Sequence, residues 1–467
     1  MRGINGNERS EPYGDSFKKI CPKMLVNTRK LGLALILLAV GGAALGQAPF
    51  SLQQCVDTAL ARNAELLIGR NQVELGEERL KEAKANRLPK FTANGDYRWS
   101  IDLPYQFMPL STFNPMAGEG QFKEVQFGVP HNINANVQLA WPLYNPQLFG
   151  GIRTAGVAAE LQALQLRKTG EEVVQEVTTL YCNAQVLHHQ IAFLDSNAVN
   201  TGKLLRNVRL LREQLLATGT DVGRVELQVA QLATQRGQVA SRYTQVLDAL
   251  KLAMGLPLER DLRINPAIAM GQDAGYLPAT TVEHRLAQTR TELVRSELGT
   301  LGRSRYLPSV NLMGSYGTMG FGYDKPPNDF LKFHPVSMAG LQASWPLFSG
   351  TVINRKMAGK RLELRNSELQ LKLLDDRQAL RTATAQRQRE LARTTVANTL
   401  EQVDLAQRIY EQTLLQQAQG TASLTDVLLA DNALRTAQQD QLAALVDYLK
   451  ADLELKAATG NLMQTNN

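Results

Sequence analysis

The sequence predicts a mainly α protein with β strands, laid out as a helix–strand–strand–helix–helix plan that occurs twice. Three observations predict it. Landmarks in the first half of the chain recur in the same order at spacings of 201 to 219 residues. Apolar residues keep heptad spacing over long stretches. Four short segments alternate apolar with polar residues.

Residues 1–46 read as a signal peptide. Lys18, Lys19, Lys23, Arg29 and Lys30 precede an apolar run from Leu31 to Leu45, and Ala44 and Gly46 stand at the −3 and −1 positions before Gln47. Met24 would open a signal of the same type, so two starts are open. No later segment holds 18 consecutive apolar residues, so the mature chain is expected to lack a transmembrane helix. Membrane insertion would then have to use strands. The net charge of +7 includes +4 from this segment, leaving about +3 for the rest. No basic run with interleaved aromatics points to nucleic acid.

Two repeats follow, residues 47–260 and 281–467, with a linker over 261–280. A helix from about Ser51 ends at Arg87-Leu88-Pro89, and a helix from about Thr281 ends at Tyr306-Leu307-Pro308. A second strand closes on Trp141-Pro142-Leu143-Tyr144 in one half and on Trp345-Pro346-Leu347-Phe348 in the other. A long helix comes next. Turns are placed at Gly219-Thr220 and Gly420-Thr421, and closing helices run to Gly255 and Gly460.

The strand segments have the alternation of a lipid-facing barrel. Phe91, Ala93, Tyr97, Trp99 and Ile101 share one face, with Thr92, Asn94, Asp96 and Arg98 on the other. Ile133, Val137 and Trp141 alternate with Asn132, Asn134, Asn136 and Gln138; Leu341, Ala343, Trp345 and Leu347 alternate with Gly340, Gln342 and Ser344. Glycines from Gly314 to Gly322 suggest a flexible loop at the end of the third strand. Four strands cannot close a barrel, and open edges cannot face lipid. Three copies would give twelve strands and a channel, a trimeric barrel.

Long helices complete the plan. Val177, Leu180, Ala184, Leu187, Ile191, Leu194 and Ala198 keep 4-3 spacing, as does the series from Val427 through Ala437 and Tyr448 to Ala458. The run from Leu148 to Thr218 would span roughly 105 Å as a helix.

These landmarks together resemble the TolC family of outer-membrane efflux proteins. The resemblance covers about Phe50 to Met463, and its most specific stretch is Gln419-Gly420-Thr421-Ala422-Ser423-Leu424-Thr425-Asp426-Val427-Leu428. It implies a homotrimer with a 12-stranded barrel in the outer membrane above a helical periplasmic tunnel. It also implies a passive conduit that docks to a periplasmic adaptor and an inner-membrane pump or exporter. It makes Gly219, Thr220, Gly420, Thr421, Ser423 and Leu424 the adaptor-contacting tip, with open or left-handed turns at the two glycines. Asp426 matches an acidic ring at the tunnel entrance; the family's second acid falls on Leu429, with Asp431 next, and its basic latch falls on Ala422. The alternative for Asp426 is a solvated helix-start residue.

Nothing in the sequence suggests an enzyme, a cofactor or a metal site. His188 and His189 are adjacent on a helix and face different ways, and no C-x-x-C, H-E-x-x-H, G-x-S-x-G or phosphate loop is present. The rival reading is a periplasmic adaptor or structural coiled coil without a pore. Efflux and protein secretion both stay open. Cys55 and Cys182 each lie 33 residues from the expected barrel base, so they are either a disulfide across antiparallel helices or two separate buried thiols.

Overall fold

Side chains that can cap decide where the helices begin. Ser51 opens α1 (Leu52–Arg62) with a reciprocal capping box: its hydroxyl accepts from the Gln54 amide at 3.2 Å, and the Gln54 side chain accepts from the Ser51 amide at 2.9 Å. The single helix expected from Ser51 to Leu88 is in fact two. Asn63 has non-helical φ/ψ of −57° and 132°, and its side-chain oxygen accepts from the Glu65 and Leu66 amides to start α2 (Ala64–Ala85). The computed structural model describes residues 49–112, 115–116, 118–268, 276–323 and 331–463. The signal segment 1–46 and part of the linker lie outside the described residues.

Two helices run without interruption for about 100 Å. They are α3 (Pro146–Glu213), which starts behind Asn145 with Pro146 in its first turn, and α6 (Val352–Ala418). Alongside α3 lie α2 and α4 (Gly219–Ala253), stacked nearly end to end. Alongside α6 lie α5 (Val282–Tyr306) and α7 (Leu424–Ala458), stacked the same way. Polar groups hold each splice. The Asn63 side chain donates to the Ala253 carbonyl at 2.8 Å. At the second splice the Ala279 amide donates to the Thr459 carbonyl at 2.9 Å, and the Asn461 side chain donates to the Leu277 carbonyl at 2.9 Å.

The heptad residues form the helix seams. Val177, Ala184 and Leu194 on α3 are buried, and none of the α7 series from Val427 to Ala458 is exposed. The largest core joins Val173, Val177 and Tyr181 of α3 to Leu250 and Met254 at the end of α4 and to Cys55 and Ala59 of α1. Burying each such aliphatic side chain contributes about 2 kcal/mol. An exposed pair such as Arg236–Asp195, at 2.5 Å, is screened by solvent and adds little. Apolar seams therefore hold the helices, and the surface charges add little. The linker is fastened to this core. Phe50 and Ile264 form a parallel bridge, while Gln185 donates to the carbonyls of Asn265 and Ala267 at 2.9 and 2.7 Å.

The strands form one antiparallel sheet in the order β1–β4–β5–β6, with β1 Lys90–Trp99, β4 His131–Tyr144, β5 Ser309–Gly322 and β6 Lys332–Ser344. A hairpin of β2 (Tyr105–Pro109) and β3 (Phe122–Gln126), not expected from the sequence, extends beyond the end of β1 and β4. Cross-strand rows confirm the two faces. Phe91, Leu139, Gly314 and Ala339 share a row, as do Ala93, Val137, Tyr316 and Ser337; Asn94, Asn136, Gly317 and Val336 share a row on the opposite side. Asn134 donates to Asp96 at 3.1 Å and Asn136 to Asn134 at 3.1 Å, so the polar face carries a hydrogen-bonded ladder.

Two sequence expectations need correction here, and one pair of alternatives is resolved. Gly314–Gly322 lies within β5 and is no loop; at Gly317 an added Cβ would sit 2.2 Å from the Ala135 carbonyl, so glycine serves close strand approach. Ile101, Trp345 and Leu347 fall just outside the strands that were to hold them. Cys55 and Cys182 are not bridged. Their level was read well, since Cys55 packs in the core with Tyr181, the neighbour of Cys182. However, successive residues on a helix point about 100° apart, and Cys182 instead faces Val446, Leu449 and Leu453 of α7. Burial pushes the thiol of Cys55 up to about 12 and that of Cys182 up to about 11, which leaves both unreactive in the folded chain.

Two outcomes follow. Alkylation under denaturing conditions without reductant should label both Cys55 and Cys182 in full, and peptide mapping should find no linked pair; native alkylation should be slow at both. Gly255 and Gly460 end the closing helices at φ of 66° and 72°, and an added Cβ would lie 2.5 Å from the Arg62 carbonyl at Gly255 but 3.2 Å from the Ala279 carbonyl at Gly460. Gly255→Ala should lower thermal stability more than Gly460→Ala. Each loses about 1–2 kcal/mol for the left-handed backbone, and Gly255→Ala adds a backbone collision. Equal melting shifts would refute the splice geometry.

Candidate functional site

The candidate site is the far tip, where α3 turns into α4 and α6 into α7. Both long helices end in the same device. The Leu216 amide donates to the Leu211 carbonyl at 2.8 Å, and the Thr421 amide donates to the Gln416 carbonyl at 2.9 Å, the six-to-one bond of a Schellman ending. The left-handed residue that this ending requires is Gly420 in the second repeat, at φ 77°, and Leu215 in the first, at φ 61°. Gly219 is the first residue of α4 and does not have a left-handed backbone, which corrects the expected turn. The repeats align at a spacing of 205 residues, as they do between Gly255 and Gly460. Leu215 matches Gly420, Thr218 matches Ser423, and Gly219 matches Leu424.

Each return helix then starts with a capping box. Thr218 and Ser423 accept from the amides of Asp221 and Asp426, both at 3.2 Å. The two carboxylates in turn accept from the hydroxyls, both at 2.7 Å, and from the Thr218 and Ser423 amides at 3.0 and 2.9 Å. These hydrogen bonds, from the hydroxyl first and the amide second, hold both carboxyls below their ordinary range. Asp426 is exposed and thus both caps its helix and presents charge at the tip. The sequence showed it without its counterpart Asp221, because the mismatched spacing of 201 hid the equivalence. Thr220, Thr421 and Ser423 are exposed, and Leu424 is half-buried.

Behind the turns, Leu204, Val208, Val222 and Val225 of the first hairpin pack on Tyr410, Val427, Ala430 and Leu434 of the second. One polar cluster crosses this seam. Asp431 on α7 accepts from Gln228 on α4 and from Arg435 one turn along its own helix. Burial lifts the Asp431 carboxyl above its ordinary range, against the pull of Arg435 and Gln228. Asn197 and Gln438 add a second cross-seam hydrogen bond at 3.1 Å. The pairing of Asp431 across the hairpins was not readable from sequence, because it joins residues 203 positions apart. Among the described residues no group of histidine, cysteine or carboxylate side chains could hold a metal ion, and no helix is long and apolar enough to cross a membrane.

A sheet with one apolar face, carried on 100 Å helices that end in paired capped tips, defines an outer-membrane channel protomer. The comparisons agree. Residues 284–461 match the family model of outer membrane efflux proteins. The alkaline protease secretion protein AprF of Pseudomonas aeruginosa is 25% identical over 342 residues, which is 70% of this chain and 69% of AprF. The structure is similar to the outer membrane protein VceC of Vibrio cholerae (TM-score 0.71, 14% identity, 88% of this chain and 96% of that one). It is also similar to the open state of the MtrE outer membrane channel of Neisseria gonorrhoeae (TM-score 0.69, 16% identity, 88% and 89%). The second half of the chain thus matches the outer membrane efflux protein family, and the described fold is similar to that of solved outer-membrane channels. These matches support an outer-membrane channel for efflux or secretion.

The capped tips carry a pH dependence of definite sign. Both carboxyls are depressed in the folded state, so their contribution is present above the unfolded pKa and is lost as pH falls through the folded value. Hydrogen-exchange protection, taken relative to the intrinsic rate at each pH, should fall at residues 214–223 and 419–428 below about pH 4. At neutral pH, Asp221→Asn and Asp426→Asn should each accelerate exchange in their own turn only. Unchanged protection in both variants would refute the capping role.

Proposed function

We propose that three copies of this chain close a twelve-stranded barrel across the outer membrane, with their helices forming one tunnel beneath it. The observation that carries this reading is the pair of sheet edges. β1 and β6 end the sheet, and among the described residues no further strand pairs with them. Their backbone amides and carbonyls border an apolar face, where lipid can supply no hydrogen bonds. Pairing β1 of one copy with β6 of the next satisfies every edge. Exposed leucines on α6 support the same closure. Leu362, Leu369, Leu373 and Leu380 are spaced seven, four and seven residues apart and are each nearly half or more exposed in one copy, a seam suited to a neighbouring helix.

Residues 47–260 and 281–467 act as equivalent halves joined by 261–280, so the trimer has near-sixfold walls. Gly219, Thr220, Gly420, Thr421, Ser423 and Leu424 meet a periplasmic adaptor, and Asp426 with Asp221 sets an acidic entrance. The adaptor in turn links the channel to an inner-membrane pump or exporter. The similarity to AprF makes protein export the first cargo class to assay.

Purified full-length protein should crosslink to a trimer and no further, and should fractionate with outer membranes. Leu369→Glu together with Leu373→Glu should lower the temperature at which the trimer dissociates in detergent. Crosslinking that ends at dimers, or a soluble periplasmic monomer, would overturn the reading.

A further inference from the structure

Charge is distributed unevenly along the helices. The four helix ends that adjoin the sheet lie in residues 78–90, 146–158, 296–306 and 350–362. They hold twelve lysines and arginines against three glutamates, a net charge of +9. The rest of residues 47–467 therefore carries −6. The basic band covers about 20 Å or less of helix below the strands. Within it Lys81 pairs with Glu78, and Lys360 with Glu297 and Glu363. All three glutamates of the band are Glu78, Glu82 and Glu297. Lys84, Arg87, Lys90, Arg303, Arg355 and Lys356 are exposed and have no ion-pair partner among the described residues.

Aromatic side chains lie at the upper edge of the band and directly above it. Trp141, Tyr144, Phe149, Tyr306, Trp345 and Phe348 are each exposed by more than a third at the helix end of the sheet. The two layers touch: the Arg87 guanidinium lies 5.2 Å from the Phe149 ring centre, and that of Arg305 lies 5.0 Å from the Tyr306 ring centre. Trp141 donates its indole N–H to the Arg87 carbonyl at 3.0 Å. An aromatic girdle backed by cations matches the boundary between hydrocarbon and anionic headgroups.

We propose that this basic collar binds the headgroups of anionic phospholipids in the leaflet that faces the helices, fixing the depth of the barrel in the membrane. This rests on the reading of the sheet as the membrane-crossing part. The lipid is identified by charge and position together: a net-positive ring, six of whose cations have no ion-pair partner among the described residues, set at headgroup level just outside an apolar face. A phosphate group accepts charge-assisted hydrogen bonds from arginine and lysine at that level, while the long side chains keep their stems against the girdle.

The test uses full-length trimer in mixed phosphatidylglycerol and phosphatidylcholine nanodiscs, with retained lipid counted by native mass spectrometry after release. Wild type should retain phosphatidylglycerol over phosphatidylcholine by roughly tenfold, and raising salt from about 0.05 to about 0.5 M should remove most of that preference. The variant with Lys84→Gln, Arg303→Gln, Arg355→Gln and Lys356→Gln should approach parity. A control with Lys203→Gln, Arg206→Gln, Arg242→Gln and Arg408→Gln, far down the helices, should match wild type. Parity in wild type would overturn the proposal, even if the quadruple variant failed to assemble. So would a quadruple variant that keeps its lipid preference but shifts ion selectivity in planar bilayers, which would place these cations on the tunnel wall. A wild-type chain that enters no bilayer would instead overturn the membrane reading and the collar with it.

Discussion

Backbone hydrogen-bonding capacity at the sheet edges is the constraint on which the rest of the structure depends. Four strands satisfy one another internally, yet β1 and β6 leave a row of amides and carbonyls beside an apolar face. In water such edges would be tolerable; beside hydrocarbon each unpaired group costs several kcal/mol. Side-chain burial of about 2 kcal/mol per residue cannot offset a whole open edge. On the trimer reading proposed above, a neighbouring copy completes the sheet edges and covers the exposed α6 leucines.

The helical part meets a different constraint. A wall about 100 Å long needs close, parallel helices, but one chain must cross that length several times and still feed four strands. Two continuous helices and two spliced ones satisfy this. At each splice a closing helix ends on a left-handed glycine, Gly255 or Gly460, and a new helix starts behind Asn63 or Thr281. Asn63 joins α4 to α2 directly by donating to Ala253 while capping α2. The splices are where chain is free to leave the wall, which is why the linker and the segment beginning at Phe50 both fold into the core around Val177 and Tyr181.

Period and punctuation made most of this plan legible. Alternation along β1 and β4 placed Phe91, Val137 and Asn136 on the correct faces, because a strand's side-chain period of two admits no compromise. Heptads identified the buried stripe of α7 down to Ala458. What the sequence hid were features fixed by distant partners. The break at Asn63 depends on Ala253. The Asp431 cluster depends on Gln228. Glycines were also read too simply. Gly317 looked like loop flexibility and is instead a point of strand contact with Ala135, while Gly219 drew the turn four residues away from its real pivot at Leu215.

That pivot shows how far the two repeats have diverged under one backbone. A Schellman ending needs a left-handed residue, which glycine adopts freely and a side-chain-bearing residue adopts at a cost of about 1–2 kcal/mol. Gly420 meets the requirement without strain, and Leu215 meets it with strain and with its side chain almost wholly in solvent. The turn itself is held identically in both repeats by the capping box and the six-to-one hydrogen bond, so the local bonds do not explain the difference in side chain. Strain that persists in an exposed turn is over-determined by its surroundings; here the packed seam of Val208, Val222, Val427 and Leu434 fixes both hairpins just behind their turns. The apolar seam thus sets the tip's geometry, and the residues at the two turns are left free to differ in the surface they present.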